Sequence, residues 1–151
     1  MNTPITIAVD AMGGDDSPKK IIKGIEQFLK NNTDVSFKIF GNENHITKHT
    51  GTIDKNLIEI THTDEKIENE DSALAGAKKG KNTSMWLAIE SVKNKSSDIA
   101  VSAGNTGALF VISKLNLKMI ENIDKPALSG LWPNKIGMSV VLDLGANIEC
   151  G

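Results

Sequence analysis

Arginine is absent: all 17 basic residues of this 151-residue chain are lysine. No guanidinium fork is available to grip a phosphate or carboxylate. Any bound anion must be held by backbone N–H groups, hydroxyls, amides and lysine. Cysteine is nearly absent as well. Cys150 stands alone, which excludes an internal disulfide and an all-cysteine metal site, and without a base partner it is not a credible nucleophile. The histidines are His45, His49 and His62. The first two stand at i,i+4 with no acidic residue in a ligand-like pattern, so they read as a solvated helix face rather than a metal centre. Neither metal nor cofactor is expected. No apolar run approaches the roughly 18 residues of a membrane span and no secretory leader pattern is visible, so the expectation is a soluble, cytoplasmic protein. The net charge of −2 gives no electrostatic reason to expect a nucleic-acid partner. The glycines never fall as G-x-G-x-x-G, which argues against a standard dinucleotide site. No Ser–His–Asp or Cys–His pairing suggests itself.

What is present is an alternation of strand-like and helix-like segments. Hydrophobic residues make up 39% and charged residues 24% of the chain, ordinary values for a globular domain with a real core. Ile5 to Asp10 reads as a buried strand. Ser17 followed by Pro18 then predicts a helix start, with the hydroxyl as N-cap and proline at the first helical position. Ile21, Ile22, Ile25, Phe28 and Leu29 recur at helical spacing, with Lys19, Lys20, Lys23, Glu26 and Lys30 largely opposite. Strands are predicted at 35–40, 57–60, 98–101, near 127–131 and at 138–142. A short polar helix is predicted over 42–49, a helix opening at Thr83, and another from about 106 to 118. This order predicts an α/β three-layer sandwich with a mainly parallel sheet. Residues 63–82 are the least patterned, acidic first and then basic. They read as a solvated loop with a helical turn, or as a flap whose Lys78 and Lys81 meet an anionic ligand.

Three strands run into glycine turns. Val101-Ser102-Ala103-Gly104-Asn105-Thr106-Gly107-Ala108 leads into an apolar helix, so backbone N–H groups and the helix dipole converge on one point. Ile7-Ala8-Val9-Asp10-Ala11-Met12-Gly13-Gly14-Asp15 and Val141-Leu142-Asp143-Leu144-Gly145-Ala146-Asn147 repeat the pattern. In an open parallel sheet the ligand crevice lies outside the carboxyl ends of the strands, so three such turns on one edge suggest a phosphate site. The alternative is that the glycines relieve tight turns and the aspartates cap helices.

Together these three motifs resemble the PlsX family of phosphate acyltransferases. Thr83-Ser84-Met85 and Asp124-Lys125-Pro126-Ala127-Leu128 match that pattern too. The resemblance implies a fold like that of isocitrate/isopropylmalate dehydrogenases. The implied reaction transfers a fatty acyl group from acyl carrier protein to inorganic phosphate, giving acyl phosphate for phospholipid synthesis. It further implies a homodimer at full length and a cytoplasmic location, peripheral to the inner face of the membrane. Family members are more than twice as long, so residues 1–151 are expected to be the N-terminal part of one catalytic domain, inactive alone. The last predicted strand ends without the helix its turn should open, which agrees.

In this reading Asn105, Thr106 and Asn147 donate to the phosphate or to the oxyanion that its attack creates. Gly13, Gly14, Ser102, Gly104, Gly107 and Gly145, with Lys78 and Lys81, shape the phosphate site. Asp10, Asp15 and Asp143 support it by capping helices or orienting lysine and hydroxyl groups, since a carboxylate repels phosphate. Acyl carrier proteins are acidic, so lysines such as 78–81 could attract one by charge. The chain departs from the family at Asp16, where many members carry histidine, at Lys78 and Lys81, where they carry arginine, and at Trp86, where arginine is common. Two other readings stay open: a carrier-binding fragment without catalysis, and another phosphate-using α/β enzyme such as an acetyl-type phosphotransferase.

Overall fold

The computed structural model describes residues 4–144. Contacts divide the chain into two compact units, Met1–Leu117 and Lys118–Gly151. The first is an α/β layered unit. Strands β1 (Ile5–Asp10), β2 (Val35–Gly41), β3 (Ile58–His62) and β4 (Ile99–Ser102) form one parallel sheet in the order β3-β2-β1-β4. Helix α1 (Lys19–Leu29) follows β1, α2 (Glu43–Thr47) follows β2, α3 (Ala73–Lys78) and α4 (Ser84–Lys93) lie between β3 and β4, and α5 (Thr106–Asn116) follows β4. A 3-10 turn at Lys55–Leu57 leads into β3.

Alternation along the strands assigns the two faces of the sheet. Val9 of β1 and Phe37 and Ile39 of β2 point to one side, where Ile22 and Ile25 of α1, Ile46 of α2 and Ile53 close over them. The Phe28 ring meets Phe37 edge-on, with centroids 6.0 Å apart, a preferred aromatic geometry. Ala8, Phe40 and Ala100 point to the other side, where Leu87 and Ala88 of α4 cover them. A further cluster joins Met85 and Ile89 of α4 to Ala108 and Ile112 of α5 and to Ile67. The sheet is thus flanked by helices on both faces.

Two expectations for the first unit need correction. Ser17 does not cap α1: Pro18 stands at that position with no side-chain cap, and the Ser17 hydroxyl donates to the carbonyls of Gly13 (3.0 Å) and Gly14 instead. A hydroxyl beside a turn bends back to whichever acceptor is nearer, and here that is the glycine turn. Residues 63–82 are more than a solvated loop. Ile67 and Thr63 are buried, the Thr63 hydroxyl donates to the Asn82 carbonyl at 2.6 Å, and the Ser84 N–H donates to the Glu65 carbonyl at 3.0 Å.

The second unit contains β5 (Ser129–Asn134) and β6 (Gly137–Leu142), paired antiparallel. Met138–Leu142 is therefore neither a buried strand nor part of the parallel sheet, as the sequence pattern suggests. Met138, Val140 and Leu142 are all exposed. The physical reason is loop length. Only Lys135 and Ile136 separate the two strands, and a parallel crossover needs a dozen or more residues. The Asn134 side chain tightens this turn by accepting from the Ile136 N–H at 2.8 Å.

Ile39 is fully buried in β2 beneath α1 and α2. Ile39→Ala is expected to lower the unfolding free energy by about 2–5 kcal/mol, measured by urea titration. A loss no larger than that of an exposed position would show that this face is not packed as described.

Candidate functional site

The carboxylate of Asp10 sits where three segments of chain converge. Asp10 ends β1, is 1% exposed, and would be costly to bury without partners. Its Oδ1 accepts from the Ser84 hydroxyl at 2.6 Å and from the Met12 N–H at 3.1 Å, and its Oδ2 accepts from the Ser102 hydroxyl at 2.7 Å. Ser84 opens α4, whose N-terminal dipole favours a carboxylate there. Ser102 ends β4 and passes the constraint on, because its Oγ accepts from the Gly104 N–H at 3.0 Å. One carboxylate thereby fixes the exits of β1 and β4 and the start of α4.

The glycines of the first turn are required by this closeness. A Cβ on Gly13 would lie 2.6 Å from Asp10 Oδ2 and 2.7 Å from the Gly104 nitrogen. Gly14 has φ +82° and would set a Cβ 2.7 Å from the Ala103 carbonyl oxygen. The β1 and β4 turns are therefore in backbone contact, and Gly13, Gly14, Ser102 and Gly104 come together as the sequence suggests.

Asn105 then closes the start of α5. Its Oδ1 accepts from the Ala108 N–H at 2.9 Å, and its Nδ2 donates to the carbonyls of Asn69 (2.9 Å) and Asp71 (2.7 Å). Both amide hydrogens are committed, so the direct donation to an oxyanion expected of Asn105 is not open in this geometry. The side chain is instead the clasp between α5 and the segment ahead of α3. Thr106 and Gly107 are the first residues of α5, and a helix start leaves such N–H groups without an intrahelical acceptor. Thr106 is exposed, and Gly107 lies against Ala73 of α3.

A cavity of about 490 Å³ opens beside these turns, lined by Gly14 to Pro18, Asn42, His45 and residues 66–70. Its walls carry the carboxyl groups of Asp15, Asp16, Glu68 and Glu70 against Lys66 and His45, and Lys66 is paired with Glu68 at 3.0 Å. Lys78 ends α3 and is exposed, as is Lys81 in the turn before α4. Neighbouring Lys79 pairs with Asp71. That bond and the Glu68 N–H, which donates to Asp71 at 2.8 Å, hold the Asp71 carboxyl below its ordinary value of 3.8. Asp143 belongs to the second unit and has φ 59°. Gly145 and Asn147 lie outside the described residues.

Residues 5–151 match the model of a family described as fatty acid synthesis protein. The chain belongs to this family. It is 65% identical over 150 residues to a phosphate acyltransferase of Pelagibacter ubique, covering 99% of this chain and 45% of the relative. Phosphate acyltransferases of Parvibaculum lavamentivorans (42% identical over 153 residues) and Listeria innocua (44% over 144) match 98% and 95% of the chain. Each of those alignments covers 42% of the relative, so the chain spans under half the length of the relatives it matches. The Trp86 indole packs on the Met85–Ile112 cluster, with Nε1 buried and unpartnered among the described residues.

Sequence reasoning missed Ser84 as a site residue. Its only local signal is its place after the Thr83 cap, at the head of a helix. Among the described residues no group of three or more His, Cys, Asp or Glu side chains is placed to hold a metal. No helix there is long and apolar enough to cross a membrane.

Ser84→Ala removes a donor from a buried carboxylate and is expected to cost about 1.5–3 kcal/mol of stability, read by chemical denaturation. An unchanged midpoint would remove Asp10 from its organising role. Asp71 gives a pH signature. Because its folded value is lowered, its contribution is complete above pH 3.8 and is lost as pH falls through the lower folded value. The stability advantage of the wild type over Asp71→Asn should therefore be constant near neutrality and vanish only in acid. An advantage that fades well above pH 3.8 would contradict this.

Proposed function

We propose that this chain is the N-terminal part of an enzyme that transfers an acyl group from a thioester to inorganic phosphate, with acyl carrier protein as donor. The observation that carries the reading is the clasped turn at residues 102–107, in a chain whose relatives are named phosphate acyltransferases. Phosphate is an anion and needs no strong base to act as a nucleophile. Its oxygen attacks the thioester carbonyl carbon, a C–O bond forms, the C–S bond breaks, and the departing thiolate takes up a proton as the thiol. The work left to the protein is positioning and stabilisation of the transient oxyanion by preorganised donors.

The Thr106 hydroxyl and the N–H groups of Thr106 and Gly107 are the donors of this reading, and Asn105 aims them. Gly13, Gly14, Ser102 and Gly104 supply the close-packed backbone, with Asp10 holding it. Lys78 and Lys81 supply positive charge without a fork, and the sequence reading that assigns Asp15, Asp143, Gly145 and Asn147 to the site is part of the same proposal. Homodimerisation, a cytoplasmic location and peripheral contact with the membrane's inner face belong to the same proposal for the full-length protein.

The test compares this chain with a version extended to the length of its relatives, measuring acyl phosphate formed from carrier thioester and phosphate. Product from the extended protein alone is the expected result. Absence of product from both, with both folded, would overturn the assignment in favour of a carrier-binding module. In the extended protein Asn105→Ala should slow turnover by roughly a hundredfold or more, as losses of oxyanion preorganisation do. Asn105→Asp, which keeps the cap, should recover part of that rate. Normal turnover in Asn105→Ala would exclude this turn from the site.

A further inference from the structure

The segment between β3 and α4 is pinned at both ends. The Thr63 hydroxyl donates to the Asn82 carbonyl, and the Ser84 N–H donates to the Glu65 carbonyl. Between those ties the chain closes a tight turn at 68–71. The Glu68 N–H donates to Asp71 Oδ2 at 2.8 Å, and the Asp71 N–H donates back to the Glu68 carbonyl at 3.2 Å. Helix α3 then opens at its Ser72 cap, and Lys79, just past its end, returns its ammonium to Asp71. One carboxylate therefore holds both the turn ahead of α3 and the residue that ends the helix.

This turn is also what Asn105 grips. The Asn69 and Asp71 carbonyls take both amide hydrogens of that side chain. Helix α3 rests directly on the start of α5 as well. A Cβ on Gly76 would lie 2.8 Å from Ile67 Cγ2 and 3.0 Å from the Ala108 Cβ, and one on Gly107 would lie 2.9 Å from the Ala73 Cβ. Contacts this close leave little slack, so the position of the turn is passed on to Asn105 and the α5 start.

Resting on the acyl-transfer reading, we propose that Asp71 is a positioning residue of the phosphate site, acting through Asn105 and touching neither substrate. Its carboxylate shapes the 68–71 turn, the carbonyls of the turn orient the Asn105 amide, and the Asn105 cap sets the N–H groups of Thr106 and Gly107. Lys79 is committed to this scaffold, in contrast to Lys78 and Lys81, whose charge the proposed site uses.

Charge and positioning predict opposite signs. By charge alone Asp71 repels phosphate, so removing it would lower KM for phosphate; by positioning, removing it raises that KM. In the extended protein Asp71→Ala should lower kcat/KM for phosphate about tenfold, with KM for the acyl donor unchanged. Asp71→Asn, whose amide oxygen can still accept from the Glu68 N–H, should recover most of the loss. In an Asn105→Ala background, where the clasp is already gone, adding Asp71→Ala should cost less than about twofold. Lys79→Met, at a partly exposed position, serves if Asp71→Ala does not fold. Its expected loss is about threefold, and that loss should vanish in Asn105→Ala.

A loss that persists undiminished in Asn105→Ala would overturn the proposal, as would a lowered phosphate KM in Asp71→Ala. An Asp71→Asn protein as impaired as Asp71→Ala would overturn it too. So would equal rises in both KM values with a lowered Tm, the mark of a merely structural role. If the wild type forms no acyl phosphate, the reaction assignment fails, and calorimetric titration of inorganic phosphate onto the wild type, both single variants and the double variant still decides positioning. Binding weakened by Asp71→Ala only where Asn105 is present supports it. Equal binding to all four, or to none, removes it.

Discussion

The Asp10 carboxylate and its three donors, Ser84 Oγ, Ser102 Oγ and the Met12 N–H, are what the candidate site depends on. A parallel sheet by itself aligns strand ends without fixing how the turns beyond them stand to one another. Here the ends of β1 and β4 and the beginning of α4 are tied to a single buried group. The tie is brief, with hydroxyl bonds of 2.6 and 2.7 Å, and bonds to a carboxylate are among the stronger ones available to a protein. Ser102 then accepts from Gly104, so the conformation of the 102–107 turn follows from a group on a different strand. The same closeness explains the glycines. With Asp10 Oδ2 and the Gly104 nitrogen in its path, position 13 has no room for a methyl group.

A second tie, through Asn105, converts that turn into part of a wider surface. The cap on Ala108 fixes the first turn of α5, while the bonds to Asn69 and Asp71 bring in the segment that precedes α3. Asp71 is held in turn by Lys79 and the Glu68 N–H. The start of the 66–81 segment is thus held both by these polar bonds and by burial of Ile67. Lysine takes part here as a single-point partner. With no arginine in the chain, geometry has to come from backbone, hydroxyl, carboxylate and amide groups, and at these turns Asp10 and Asn105 make the long-range side-chain bonds.

Much of this was legible in sequence wherever periodicity carried the signal. The apolar stripe of α1, the strands predicted at 5–10 and 98–101, the Thr83 helix start and the helix from about 106 stand out because each rests on local spacing or local capping. The parallel sheet followed from their alternation. What local pattern could not convey is which distant acceptor a side chain finds. Ser17 looks like a cap and bonds to glycine carbonyls, Asn105 looks like a free donor and is engaged by carbonyls 34 and 36 residues away, and Ser84 looks like an ordinary first helical residue. The β5–β6 hairpin was misjudged for another reason. Its residues have strand character, and it is the two-residue connection, not the strands, that decides between parallel and antiparallel pairing.

The distribution of charge around the turns argues for where a phosphate would approach. The 490 Å³ cavity is the roomier space, yet four carboxyl groups line it, and its Lys66 is already paired with Glu68. A phosphate entering there meets like charges at short range, an interaction that grows as water is excluded. At the α5 start Thr106 is exposed and the first N–H groups have no intrahelical acceptor, with Lys78 and Lys81 exposed on the segment ahead of α4. In the proposed reaction the anion therefore belongs at the α5 start rather than against the carboxylates of the cavity. Asp10 fits this division. It lies within hydrogen-bond reach of the turn, but its oxygens are occupied by Ser84, Ser102 and Met12. It can thus order the backbone of the proposed phosphate site while its own charge is shared among donors.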